Sequence, residues 1–269
     1  MASRNQRSSR GQSGQAAVEA ALTLPLTVFL VLGTIQLFMM LQGRIMAEYA
    51  AFEAVRAGSR HHGDCEKMMH AGLAALLPNV VTYLGSGTSG GSPAEKLASA
   101  WRERINGGNP RFVAMDSTQS TLGGSSLAGE SIFWLAREQP TNVPDPEDRN
   151  FDAPVDGGGG MRLEVRLIYW FPLRIPFADW VMTRMFMAHF GLQDYNAVNP
   201  LMPAQRNAGW TAGNSAPTLD SQIRSKYQSM ASAQKYVFPI QATYGMRMMT
   251  PAKSRFFQRQ NCGETPEGL

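Results

Sequence analysis

Cysteine and histidine are scarce in this sequence, two and four residues in 269. Two cysteines exclude a disulfide-dense scaffold and a four-cysteine zinc site, and four histidines leave too little for a histidine-rich metal centre. Charge is scarce as well. Asp, Glu, Lys and Arg make up 17% of the chain, below the usual quarter. With 43% hydrophobic residues, wholesale disorder is excluded. The basic excess, 25 Lys+Arg against 21 Asp+Glu, sits in one place. Arg4, Arg7 and Arg10 fall within the first fourteen residues, which contain no acid, and without them the balance is 22 against 21. No clustered basic face remains, so no nucleic-acid partner is expected. Paired carboxylates, a Ser/His/Asp pattern and internal repeats are also missing, and the chain is read as not an enzyme.

What is present is an uncharged run of 24 residues, Ala20 to Gly43, AALTLPLTVFLVLGTIQLFMMLQG. A helix needs about 20 apolar residues to cross bilayer hydrocarbon, so this run spans with modest tilt. Pro25 is tolerated inside it at the expense of a kink. Arg4, Arg7 and Arg10 precede the run, whereas Arg44, Glu48, Glu53 and Arg56 follow it. The cation excess therefore puts the N-terminus in the cytoplasm and the remaining ~220 residues outside. A cleaved secretory signal is the competing reading. Its apolar region is about 7–15 residues and ends in small residues, whereas this run is longer and ends in Leu41-Gln42-Gly43-Arg44. A retained anchor is expected.

Glu19 stands directly before the apolar run. It is either a carboxylate at the membrane interface near a helix start or part of a signal. Cutting the chain after Gly14 makes Gln15 residue one and Glu19 residue five, whereas a cut after Gly11 would put Ala16 fifth. A basic leader, a glycine, a glutamate five positions on and an apolar helix resemble the type IV pilin signal read by prepilin peptidases. The string Gly14-Gln15-Ala16-Ala17-Val18-Glu19-Ala20-Ala21-Leu22-Thr23-Leu24-Pro25 resembles more narrowly the TadE-like proteins, minor pseudopilins of tight-adherence (Tad/Flp) pilus systems. Ala47-Glu48-Tyr49-Ala50-Ala51-Phe52-Glu53-Ala54-Val55-Arg56-Ala57-Gly58-Ser59-Arg60 is similar to the Ala/Arg/Gly-rich helix that follows in that family. The resemblance covers residues 11–60. Ala20 stands where pilin subunits of these systems often carry Tyr. The resemblance implies a bacterial inner-membrane protein with a periplasmic domain. Its implied partners are a prepilin peptidase, membrane lipid and other pilin-like or Tad assembly proteins, and entry into the filament is left open.

Beyond the span, Ile45, Tyr49 and Phe52 recur at helical spacing and predict an amphipathic stalk. Met69, Leu73, Leu76 and Leu77 mark one face of a second helix, which Pro78 ends. Gly85 to Gly91 reads as a flexible connection. A third helix starts with Ser92 as N-cap, Pro93 in the first turn and Glu95 three after the cap. Leu97, Trp101 and Ile105 line it, and Asn106-Gly107-Gly108 closes it. Residues 116–160 read as a long insertion with a short helix around Ile132 to Arg137. Leu163, Val165, Leu167 and Tyr169 alternate as a strand that Pro172 stops, and Ile240 to Met248 alternate as another. Pro176 to Phe190 reads as a helix using Phe177, Trp180, Val181 and Met185 to cover their sheet.

The expected fold is α+β: one N-terminal transmembrane helix extended by the stalk, then an exported domain with an antiparallel sheet packed by helices. The divisions are a basic leader 1–14, transmembrane helix and stalk 15–60, a helical segment 61–110, a flexible insertion 111–160, the α+β domain 161–257 and a polar tail 258–269.

Other chemistry is thin. His61, His62, Cys65 and His70 are the weak candidates for a metal, at a spacing that matches no standard finger. A His–Cys nucleophile is weaker still, and a polar loop between helices accounts for all four. Asp116-Ser117-Thr118-Gln119-Ser120 faintly resembles the metal loop of von Willebrand A-like domains, and a plain polar loop accounts for it. Gly157 to Gly160 leads into a strand, the reverse of a phosphate loop. Tyr169, Trp170, Phe171, Phe177 and Trp180 form an aromatic cluster suited to core packing, a protein interface, a sugar pocket or the membrane surface. No cofactor is expected. Cys65 and Cys262 lie together on the exported side, where they pair across nearly 200 residues or stand as unrelated thiols. The leading function is a membrane-anchored, pseudopilin-like role in Tad/Flp-type pilus assembly or secretion through protein contacts. The alternatives are a membrane-tethered periplasmic enzyme or metal-binding module, and a generic anchored envelope protein.

Overall fold

The computed structural model describes residues 12–80, 92–105, 109–113, 124–141, 143, 161–190 and 221–263. The expected loops at Gly85 to Gly91, Asp116 to Ser120 and Gly157 to Gly160 lie outside them. A single helix α1, Gln12–Arg60, runs through the apolar stretch, including Pro25, and on into the domain. Helices α2 (Cys65–Val80) and α3 (Pro93–Arg104) follow. Strands β1 (Phe133–Gln139) and β2 (Arg162–Pro172), helices α4 (Ala178–His189) and α5 (Ser221–Ser232), and strand β3 (Val237–Arg247) come next. A 3-10 turn at Ser254–Phe256 and the two-residue strand β4 (Asn261–Cys262) complete the order.

The strands form one antiparallel sheet in the order β3-β2-β1-β4. Alternation in β2 and β3 sets their register: Leu163 lies opposite Met246, Leu167 opposite Ala242 and Phe171 opposite Phe238. The α+β arrangement of a long apolar helix followed by an antiparallel sheet with helices is therefore present. The short helix expected at Ile132 to Arg137 is instead strand β1, paired residue for residue with β2 from Phe133↔Tyr169 to Arg137↔Val165. Its sequence, FWLAREQ, has no alternation because the first five positions are all buried; a central strand covered on both faces reads as a continuous apolar run.

Two faces also differ from expectation. On α1 the side turned to the domain is not Ile45 and Tyr49, which are exposed, but Gly43, Ala47, Ala50, Ala51, Ala54, Val55 and Gly58. Small side chains let the helix axis approach the sheet and α2 closely, and that gain outweighs the larger apolar area of Ile45 and Tyr49. Phe52 lies at the border, edge-on to Tyr244 at 5.2 Å. On α4 the buried positions are Ala178, Asp179, Met182, Thr183 and Met187, so Phe177, Trp180 and Met185 point outward.

Two local signals differ as well: Pro78 sits inside the last turn of α2 rather than ending it, and on α3 Leu97 is exposed while Ala100 and Arg104 are buried. Met69, Leu73, Leu76 and Leu77 are buried on α2, which runs two residues past Pro78. Ser92 and Glu95 form the reciprocal capping box of α3, a device contributing about 1 kcal/mol. Glu130 bridges Lys226 of α5 and Lys235 at 2.6 Å each. Burial pushes its carboxyl up, and the two lysines outweigh that and hold it below the usual range.

The tightest helix–sheet contact generates a test. A methyl group at Gly43 would fall 2.5 Å from Phe171 Cδ2 and 3.3 Å from Ile240 Cδ1, whereas one at Gly33 would meet nothing within 4 Å. Gly43→Ala is expected to destabilise the chain by about 1–3 kcal/mol through overpacking, despite the better helix propensity of alanine. Gly33→Ala should leave stability unchanged or raise it. Denaturant midpoints of the detergent-solubilised protein, read by tryptophan fluorescence, separate the two.

Candidate functional site

Two regions gather the residues singled out by sequence. The first is the start of α1. Gly14 and Gln15 lie in its first turns, and Glu19 is exposed one turn later. From Val18 to Phe38 the large apolar side chains Val18, Leu22, Leu26, Leu30, Ile35 and Phe38 all point outward. The helix is long and apolar enough to cross a membrane, and almost none of its most apolar stretch is buried within the protein. The hydroxyls in this stretch donate inward: Thr23 to the Glu19 carbonyl at 2.9 Å, Thr27 to Leu24 at 2.9 Å and Thr34 to Val31 at 2.8 Å. Such back-bonding satisfies a hydroxyl without water.

Gln36 is the buried polar residue of the run, and sequence reading passed over it. It is fully buried, and its Oε1 accepts from the backbone N–H groups of Arg174 and Ile175 at 3.1 and 3.0 Å. An uncharged polar residue facing its own domain leaves no periodic signal among apolar neighbours. Only its side of the helix, shared with Gly43, could have marked it.

The second region is the turn between α1 and α2, which holds the histidines and Cys65. The turn needs left-handed backbone at His62 (φ 59°) and Gly63 (φ 84°). The C-terminal segment lies over it. The Cys65–Cys262 disulfide joins α2 to β4 with Cα atoms 5.2 Å apart across 197 residues. His62 Nδ1 lies 2.7 Å from the Pro251 carbonyl, and its backbone N–H donates to Thr250 Oγ1 at 3.1 Å. Arg137 of β1 reaches into the same place. It donates to the Gly63 carbonyl at 2.9 Å and to the Arg259 carbonyl, and its guanidinium sits 4.3 Å from the Phe257 ring centroid. Burial pulls the Arg137 guanidinium down to about 10, with the Asp64 carboxylate opposing it, so it remains a cation at neutral pH. A buried cation over an aromatic face, with two carbonyl acceptors, is a structural staple.

The four weak metal candidates are thus dispersed into separate roles. Cys65 is in the disulfide, His62 is bonded to the tail, and His61 is exposed. His70 lies 4.0 Å from Glu66 Oε1 and edge-on to Trp101 at 5.1 Å. Among the described residues no three His, Cys, Asp or Glu side chains converge as metal ligands. A shallow concavity lined by Ser125, Leu173, Asp179, Gln234 and Tyr236 encloses about 10 Å³, far below the roughly 300–1,000 Å³ of ordinary ligand sites. Asp179 there accepts from the Trp180 N–H at 2.6 Å.

Residues 14–56 match the family of TadE-like proteins. The match covers Gly14 to Glu19, the apolar run and most of the small-residue stripe, and it stops before the sheet. No curated protein and no solved structure matches the chain.

The staple over the α1–α2 turn predicts what the disulfide contributes. Closing a loop of this length is worth at most about 5 kcal/mol by chain entropy, and native bridges typically contribute 2–4. Replacing both cysteines with serine is expected to lower unfolding stability by about 2–4 kcal/mol. It should also speed amide exchange at Asn261 and Cys262 before it affects β2. Hydrogen exchange read by mass spectrometry makes the comparison.

Proposed function

We propose that the chain is a single-pass, membrane-anchored, non-enzymatic component of Tad-type pilus assembly, acting through protein contacts. The observation that carries the reading is the coincidence, in one helix, of the TadE-like match at residues 14–56 with an apolar surface turned outward from Val18 to Phe38. A soluble domain buries such a surface, and a bilayer or a bundle of like helices accepts it. The cations of the leader place the N-terminus in the cytoplasm. The sheet domain then lies in the periplasm, an oxidising compartment in keeping with the Cys65–Cys262 bridge. Its partners in this reading are a prepilin peptidase, lipid, and other pilin-like or Tad assembly proteins.

Within this reading Gly14, Gln15 and Glu19 form a processing-and-docking signal. The bond after Gly14 lies in the first helical turn, which frays at little cost and gives a peptidase access. Cleavage creates an amine at Gln15, four residues and one turn from the Glu19 carboxylate. At the membrane edge, where water is scarce, that carboxylate attracts its own amine or a neighbour's and sets subunit register.

Three measurements test the proposal. Mass spectrometry of the chain extracted from its own cells should find Gln15 as the first residue, and Gly14→Leu should retain the leader. An intact Met1 to Gly14 segment beside an active prepilin peptidase would refute processing. Glu19→Gln should preserve membrane insertion and processing while reducing recovery with other assembly proteins; full recovery would leave Glu19 a purely structural carboxylate. A reporter fused after Arg60 should be active only in its exported form, and cytoplasmic activity there overturns the topology.

A further inference from the structure

The aromatic cluster read from the sequence divides in two. Tyr169, Trp170 and Phe171 are buried in the sheet, whereas Phe177, Trp180 and Met185 are 40, 45 and 59% exposed. Spaced at three to five residues, with half-buried Val181 between them, these three make an outward ridge on α4. Exposed Arg184 lies beside Met185 on the same helix.

The height of this ridge along α1 is informative. Strand β2 descends antiparallel to α1: Leu163 abuts Gly58, and Phe171 abuts Gly43. Beyond the strand, the Arg174 and Ile175 N–H groups reach Gln36. Phe177 then meets Phe29 edge-on at 5.8 Å. The tip of the domain therefore stands level with Phe29, well inside the uncharged run.

Bilayer thickness turns that level into a depth. Phe29 follows Ala16, four residues before the uncharged run begins at Ala20, by thirteen residues, about 20 Å of helix at 1.5 Å per residue. The hydrocarbon core is about 30 Å thick. Even with Ala16 at the inner boundary, Phe29 and Phe177 stop about 10 Å short of the outer boundary, and tilt lowers them further. Sliding the helix outward by that amount would carry the Glu19 carboxylate to about the mid-plane, where charge is most costly.

The tip is built for that depth. A backbone in hydrocarbon must satisfy its own polar groups. Besides the two N–H groups that donate to Gln36, Leu173 N–H donates to the Tyr236 carbonyl, Asp179 N–H to Ile175 and Val181 N–H to Phe177. Pro172 and Pro176 have no N–H to satisfy. Tryptophan favours the interfacial layer, and the Arg184 stem is long enough to bring its guanidinium to the headgroups.

We propose that the Phe177, Trp180 and Met185 ridge is a second membrane anchor, immersed in the outer leaflet beside α1. The proposal rests on α1 spanning the bilayer. Together the two anchors hold the exported domain at a fixed rotation and height on the lipid surface.

The test uses the full-length, disulfide-bonded chain in phosphatidylcholine/phosphatidylglycerol vesicles. Both native cysteines are bridged, so a thiol-reactive fluorophore reports only an introduced cysteine. Trp180→Cys and Met185→Cys probe the ridge, and Leu30→Cys probes α1. Tyr244→Cys is the aqueous control, since Tyr244 packs beside Phe52, some 35 Å of helix beyond Phe29. The ridge labels should be quenched by nitroxide-bearing lipid at least about twofold more than the Tyr244→Cys label, as expected for an interfacial helix, and protected from aqueous iodide. Iodide access at both ridge positions, with the Leu30→Cys label in lipid, overturns the anchor and leaves the spanning helix standing. Protection from both quenchers means that a protein neighbour covers the ridge, which also overturns it. A Leu30→Cys label in water removes the spanning reading and the anchor together. Using two ridge positions keeps the test decisive if replacing Trp180 perturbs folding.

Discussion

The domain depends on how closely α1 can approach the sheet. Gly43, Ala47, Ala50, Ala54 and Gly58 recur every three or four residues on one side of a 49-residue helix. The absence of bulk there lets Phe171, Ile240, Leu163 and Met68 close onto the helix backbone. Dispersion falls steeply with separation, so a stripe of small residues gathers many good contacts where larger ones would hold the layers apart. Helix α2 uses the same latitude from the other side, packing Met68 against Gly58 and setting its own Gly72 beneath the Phe133 ring. Tyr169 ties the layers together by accepting at its hydroxyl from Asn79 Nδ2 at the end of α2, 3.0 Å away.

What lies furthest from this contact is held by other means. Strand β4 has two residues, pairing through Leu135↔Cys262 and Ala136↔Asn261, too little to be stable alone. The disulfide, the Arg137 staple and the His62 bonds to the tail supply what the ladder does not. These groups converge on the α1–α2 turn, so the tail that closes the sheet edge also fixes the angle between the first two helices. Two of the residues that sequence offered as metal ligands, His62 and Cys65, are spent on this closure.

Legibility followed the kind of signal each residue gives. Long uncharged length, alternation in β2 and β3, and the Ser92 to Glu95 capping box are local patterns with one physical meaning, and each produced its element. Strand β1 was hidden because a strand covered on both faces loses its period of two, and in FWLAREQ the apolar run passes equally for a helix. Face assignment on α1 and α4 failed for a different reason. Choosing the bulkiest apolar residues as the buried side treats area as decisive. Here a close-packed layer preferred alanine and glycine, leaving Ile45, Tyr49, Phe177 and Trp180 outside. Gln36 and Arg137 give no sequence signal because their partners are backbone groups of segments roughly 70 to 140 residues distant. As for the proposed signal, Gly14 and Glu19 were legible only as a spacing, and the fold does not test what that spacing does.

The surroundings of the helix change gradually along its length. From Ala20 to Val28 it carries no charge and every residue is exposed. From Phe29 to Gly43 one side meets the tip of its own domain, through Phe177 and the Gln36 bonds, while Leu37, Phe38 and Leu41 stay exposed on the other. Above Gly43 the charged pairs Arg44–Glu48 and Arg56–Glu53 appear on its open side. A helix that merely tethered a domain would be followed by a linker, and each half could then move freely. Here no linker exists, because the residues that complete the apolar run begin the core. Any rotation of α1 about its axis must therefore turn the sheet with it. A neighbour that grips the lower helix also orients the face that the domain presents, which is the mechanical property a protein acting through contacts on both sides of an interface requires.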